Sequence, residues 1–364
     1  MLFFSRYVAG TQVLHAFFIL PFHVPLPAVF LVFLRALSAF VDVSNMADEK
    51  WIAGLRGDMS VHMAAKKALA LRLGAVRDRL PAAAFHAEDD SEHVHQLRVA
   101  TRRTAAALRI FADCLPARLY KKIRKALRTV RRSAAEARDW DVFLEMLQTR
   151  LGRATSKQRR GLDFLLGFAH GQRVLAQEHL KQAYGTKADQ FALRCEKVLQ
   201  ALEASRNSSQ TLAEHAAPTL AQLLRELEAA ASADLQPYEA LHQVRILGKQ
   251  LRYAMEIFAS CFAGDFRHRY YPAVVEMQEI LGIANDSHVA CQRLQGLRSR
   301  LMRTQPRQWP HYQDGLEVLL GFHERRLPQQ RKKFEKWWQA WLKSGAEQAF
   351  AELIQSKGRI TKHE

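Results

Sequence analysis

A chain of 364 residues, 48% of them hydrophobic, is long enough for one large or two ordinary domains with real cores, which excludes a disordered tail. Its 54 lysines and arginines against 36 acids leave a formal charge of +18, an excess that repels itself in a compact state and attracts nucleic acid, anionic membrane or phosphate polymers. The four cysteines (Cys114, Cys195, Cys261, Cys291) have neither CxxC nor Cys/His metal spacing, so they read as small core residues in a reducing, cytoplasmic setting rather than a disulfide framework.

Residues 1–45 differ from the rest. "HAFFILPFHVPLPAVFLVFLRALSAFV" is strongly apolar but broken by Pro21, Pro25, Pro27 and Arg35, whereas a spanning helix wants about 20 apolar residues with few interruptions. "MADEKW" from Met46 reads like an ordinary protein start. The expectation is an apolar N-terminal extension, translated upstream and absent from the working protein, with a membrane anchor as the alternative.

From about residue 58 the apolar period is helical and no stretch alternates like a strand, so the expected fold class is all-α. Helices are expected at 58–79, 92–112, 117–136, 140–150, 157–183, 187–204, 211–232, 239–260, 268–281, 286–303, 310–326 and 328–356, with breaks at Pro, Gly, Asn, Asp or Ser. Asp139 and Asp286 read as N-caps, since "DWDVFLEML" and "DSHVACQRL" each open a helical pattern. The aromatics of "WPHYQ" and "EKWWQAW" fall at helical spacing and read as packing.

Two of these helices carry an unusual face. In "HQLRVATRRTAAALRIF" an advance of about 100° per residue puts Arg98, Arg102 and Arg109 on the side of His95. Leu97, Ala100, Ala107, Leu108 and Phe111 form the opposite, core face. "HQVRILGKQLRYAMEIF" repeats the plan, with Arg245, Lys249 and Arg252 beside His242, opposite Val244, Leu247, Leu251, Ala254, Met255 and Phe258. A solvated helix face normally mixes both signs, with Glu–Lys pairs four apart; the first stripe has no acid and the second only Glu256. "ARLYKKIRKALRTVRRSAAEAR" adds Lys121, Lys122, Arg124, Lys125, Arg128, Arg131, Arg132 and Arg138 against Glu136 alone. Stripes laid side by side would merge into a groove that focuses its field on a polyanion. Each histidine is either a phosphate contact or an architectural hydrogen-bonding group, and among so many cations it is expected to stay neutral.

The two striped helices also point to an internal duplication. His95 and His242 are 147 positions apart, and the same offset pairs Arg98 with Arg245, Arg102 with Lys249, Phe111 with Phe258, Cys114 with Cys261 and Asp139 with Asp286. "GLDFLLGF" at 161–168 answers "GLEVLLGF" at 315–322. Two related helical units are therefore expected, at 58–205 and 206–356, joined around "EASRNSSQT".

"VHQLRVATRRTAAALRIF", "LHQVRILGKQLRYAMEIF", "RDWDV" and "ILGIANDSHV" together resemble the CHAD family, the conserved histidine α-helical domains, over about residues 55–345. The resemblance implies two pseudo-symmetric helical bundles around a central basic cavity or channel that binds inorganic polyphosphate. It assigns contacts to His95, Arg98, Arg102, His242, Arg245, Lys249 and Arg252; local charge extends the set to Lys121, Lys122, Lys125 and Arg128. Ala105 stands where the family has an arginine, a loss that Arg103 or Arg109 would offset, and "AAEARD" replaces the usual Leu-Gly. The glutamate-rich strand of an N-terminal triphosphatase tunnel domain is not found, so the domain reads as standing alone.

The expected function is thus non-catalytic polyphosphate binding by a cytoplasmic adaptor or granule-associated module, with no cofactor and no metal. Nucleic acid is the alternative partner, but neither a helix-turn-helix nor basic-aromatic interleaving supports it. An enzyme acting on phosphate polymers is the third reading; it wants clustered carboxylates for Mg²⁺, or a Walker A loop, and the expected groove has few acids.

Overall fold

Long runs of Ala, Leu, Arg, Glu, Lys and Gln favour helix at nearly every position, and helices are what form. The computed structural model describes residues 50–204 and 209–355. Residues 1–45, read above as an extension or an anchor, and part of the expected joint lie outside that range. The described residues fold into α1 (Val61–Phe85), α2 (Glu92–Ile110), α3 (Ala117–Leu151), α4 (Ser156–Ala204), α5 (Leu212–Ala231), α6 (Tyr238–Phe258), α7 (Tyr271–Thr304), α8 (Trp309–Lys343) and α9 (Ala346–Gln355). Short 3₁₀ turns follow α2 and α6 at Ala112–Cys114 and Ala259–Cys261, and a π-helical turn, Phe266–Tyr270, leads into α7. No described helix is long and apolar enough to cross a membrane.

Several expected breaks do not occur. Segments 117–136 and 140–150 are one helix, α3, and 268–281 and 286–303 fall within the π turn and α7. Asp139 and Asp286 are therefore not N-caps but mid-helix residues; the Asp139 carboxylate faces Arg98 of α2, and that of Asp286 accepts from Asn285 Nδ2. Likewise α4 runs unbroken through Gly185, and α8 carries Pro328 inside it. The one break missed is at Gly345, whose φ of +66° only glycine adopts cheaply; it separates α8 from α9.

The caps that do exist tie the chain together. Ser60 Oγ accepts from Met63 N at 3.3 Å to start α1. Thr211 and Glu214 form a reciprocal capping box at the start of α5. The two starts pair with each other: Val61 N donates to the Gln210 carbonyl at 2.9 Å, and Leu212 N to that of Met59 at 2.7 Å. At the other end of the architecture α4 crosses α8 in backbone contact. A Cβ on Gly161 would lie 2.8 Å from Gly315 Cα, and one on Gly315 would lie 2.6 Å from Gly161 Cα. Tyr312 stacks on Phe164 beside this crossing, centroids 4.2 Å apart.

The core faces deduced for the striped helices are buried as expected: Leu97, Ala107 and Leu108 from α2 with Phe111 at its C-cap, and Val244, Leu251, Ala254, Met255 and Phe258 from α6. Cys195, Cys261 and Cys291 are buried, Cys114 is half-buried, and all four are free thiols. Of the C-terminal aromatics, Trp338 is buried, and Trp341 packs edge-on against Tyr270 and Phe350. These core contacts leave the charged faces of α2 and α6 to meet one another.

A chain of basic clefts

Because the apolar faces of α2 and α6 turn into the core, their cationic faces converge where the two helices pack, and α3 brings a third row. A cleft of about 440 Å³ is lined by Arg98, Arg102 and Arg109 from α2, Arg131 and Arg132 from α3, and Lys249 with Tyr253 from α6. It continues into a second cleft of about 790 Å³ through Arg109 and Arg131, which line both. The second is walled by Tyr120, Lys121, Arg124, Lys125 and Arg128, with no acid in its lining.

The cations of the first cleft act on one another. Burial, and then Arg245, Arg102 and Arg98, push the Lys249 ammonium down to about 7. Burial is the main cause of lowering at Arg98, Arg109, Arg131 and Arg245 too; at Arg131 the neighbouring Arg128, Arg132 and Arg102 add to it. Arg102 Nε donates to the Tyr253 hydroxyl at 2.9 Å, which orients a guanidinium across the junction of α2 and α6 without neutralising it.

A third cavity, about 410 Å³, shares Arg98 and Lys249 with the first cleft. Asp139 and Asp286 both line it, so the basic groove is less free of acids than its sequence suggested. Asp139 lies 3.3 Å from Arg98 Nη1. Burial holds its carboxyl above the usual range despite Arg98 and Arg293. Arg293 packs 3.8 Å over the Trp140 ring and donates to the Asp139 carbonyl at 3.2 Å, latching α7 onto α3. Among the described residues no group of three or more His, Cys, Asp or Glu is placed to hold a metal ion.

Not every expected contact belongs to the clefts. Arg103 lines none of the three cavities: its Nε donates to the buried Glu256 at 2.7 Å, and the Tyr271 hydroxyl donates to the same carboxylate at 2.9 Å. Arg109 does reach both clefts. Arg252 lies against Tyr253, donating to its hydroxyl at 3.2 Å, and lines none of the three cavities. Lys122 is exposed beside them. His95 and His242 line none either, and burial lowers both imidazoles, with Arg138 and Arg245 the next causes. His242 Nδ1 pairs with the Tyr238 hydroxyl at 3.3 Å; Tyr238 bonds Asn285 and stacks on His288 at 3.4 Å.

Arg124, Arg131 and Arg132 were missed as wall residues. Their signal lay in helical spacing: 121, 124, 125, 128, 131 and 132 recur every three or four residues, and Lys122 falls off that row. Tyr253, Arg293 and Arg326 carry no such signal, because only the folded chain brings α6, α7 and α8 to the cavities.

The described residues thus form an all-α fold in which cations from three helices line connected clefts. The chain belongs to the CHAD domain family, whose profile matches residues 67–295. The crystal structure of the CHAD domain from the plant Ricinus communis superposes with a TM-score of 0.63 at 23% identity, covering 79% of this chain and 95% of that one. A protein titled PptA from Streptomyces chartreusis gives 0.53 at 23% identity, with 75% and 99% covered. At such identity both speak for the fold alone. None of the curated proteins matches the chain.

Proposed function

We propose that this protein binds inorganic polyphosphate, without catalysis, in the first and second clefts, as a cytoplasmic adaptor or granule-associated module. The observation that carries the reading is the crowding around Lys249, where Arg98, Arg102, Arg245 and Arg252 depress one ammonium while Asp139 pairs with Arg98 and Asp286 acts on Arg245. Such a cluster raises the energy of the empty protein, and a phosphate chain that neutralises it relieves that cost. Membership of the CHAD family supports the same ligand. The His/Arg/Lys repeat is read as a duplication, so that one unit supplies Arg98 and Arg102 and the other Arg245 and Lys249. The matching order of α1–α4 and α5–α8 favours that origin.

Nucleic acid remains the competing polyanion, since it shares the charge requirement. The sunken position of Arg98 and Lys249 favours a thin, flexible chain over a duplex, whose phosphates sit on a rigid cylinder. The test is binding of long-chain polyphosphate against DNA at equal phosphate concentration over a salt series. Polyphosphate should bind at least about tenfold more tightly at physiological salt; equal affinities overturn the assignment. Reversing Arg98 and Lys249 to glutamate should abolish binding while circular dichroism shows unchanged helix content. Survival of binding in that variant would mean that other cations carry it.

A further inference from the structure

The third cavity contains groups that polyphosphate binding leaves unused. Ser287 and His323 both line it, and they are 1% and 3% exposed. The Ser287 hydroxyl and both ring nitrogens of His323 are buried with no hydrogen-bond partner among the described residues. Burial, followed by Arg326 and Arg150, pushes the His323 imidazole down to about 4, so at neutral pH it offers one N–H donor and one bare nitrogen. Buried polar groups are nearly always satisfied, and each exception asks for an explanation.

The rest of the lining limits what could satisfy them. Val142, Phe143 and Met146 of α3 and Ile283 and Val289 of α7 form an apolar wall, while Arg98 and Lys249 supply cations. Inorganic phosphate would suit the cations and leave that wall wet. An acyl chain would suit the wall and leave Ser287 and His323 unpaired. The occupant needs a flat, largely apolar body with donors and acceptors on its edge, and an anionic end. A volume of about 410 Å³ is within the usual range of small-ligand pockets.

The geometry points to a mononucleotide site in the third cavity, the base against the α3–α7 wall with its edge toward Ser287 and His323, and the phosphate on Arg98 and Lys249. Asp286, which also lines the cavity, then offers its second carboxylate oxygen to ribose hydroxyls. The inference leans on the polyphosphate reading in one respect: both ligands would use Arg98 and Lys249, so each should exclude the other.

Calorimetric titration of the full chain with adenosine 5′-monophosphate, and separately with inorganic phosphate, tests it. The nucleotide should bind at least about tenfold more tightly than phosphate. Ser287→Ala and His323→Leu should each weaken nucleotide binding by about tenfold and leave polyphosphate binding unchanged. Should His323→Leu fail to fold by circular dichroism, the smaller Ser287→Ala change decides. Nucleotide binding no tighter than phosphate, or untouched by Ser287→Ala, overturns the site. Polyphosphate titrated alone judges the earlier reading separately: if it fails to bind while the nucleotide does, only that reading falls.

Discussion

Replacing Lys249 by methionine removes one ammonium from the first cleft and keeps a side chain of similar length. An ordinary lysine titrates near 10.5, and here burial and the surrounding guanidinium groups bring it to about 7. At about 1.4 kcal/mol per tenfold change in proton affinity, holding that proton costs the folded state at most about 5 kcal/mol. Solvent reaching the open cleft screens this to about 2–3 kcal/mol. The sign follows from proton counts: between about pH 7 and pH 10.5 the unfolded chain binds more protons at this site, so stability rises with pH. The penalty is fully present below about pH 7 and gone by about pH 10.5. Lys249→Met should therefore be about 2–3 kcal/mol more stable than the parent at pH 6, with the gap closing toward pH 10. Urea unfolding of both proteins across that range measures the difference directly and cancels every other titrating group. A gap that stays flat from pH 6 to pH 10 would refute the argument that Lys249 is desolvated among cations. The same variant should bind polyphosphate more weakly, and at pH 8 the parent should take up a proton on binding, read as a dependence of the calorimetric heat on buffer ionisation.

Gly161→Ala forces a side-chain atom against Gly315 Cα, and should cost about 1–3 kcal/mol of overpacking, partly offset by the roughly 1 kcal/mol that alanine gains over glycine in a helix. Gly167→Ala on the same helix meets only open space and should raise thermal stability by up to about 1 kcal/mol. Glu256→Ala leaves Arg103 buried without its carboxylate and should destabilise by about 3–5 kcal/mol in denaturant titration. The double change Arg103→Met, Glu256→Met should recover most of that loss and bind polyphosphate like the parent; a parallel loss of binding would place Arg103 in the site after all.

The helical class and the two faces of α2 and α6 were legible because local periodicity decides them: every core position assigned there points into the fold. Asp139 and Asp286 were misread because an aspartate before an apolar run has the pattern of a cap, and only tertiary structure shows that Arg98 meets Asp139 from another helix. The partner of Arg103 was hidden for the same reason, since Glu256 lies 153 positions away in the chain. Lys121, Lys125 and Arg128 were reached from charge alone, and Arg131 and Arg132 were seen as charge but not as wall. Gly345 was overlooked because one glycine inside a helical pattern is usually tolerated; its positive φ is a backbone fact with no trace in periodicity.

The contact between Gly161 and Gly315 reaches beyond the helices that make it. Wall helix α3 packs along α4, wall helix α7 packs along α8, and those two residues lie where α4 and α8 pack against each other. The third cavity is lined in part by α3, α7 and α8, so the crossing bears on its walls although neither glycine is among its lining residues. Enlarging that crossing by one methyl group would move two walls at once while leaving every lining residue in place.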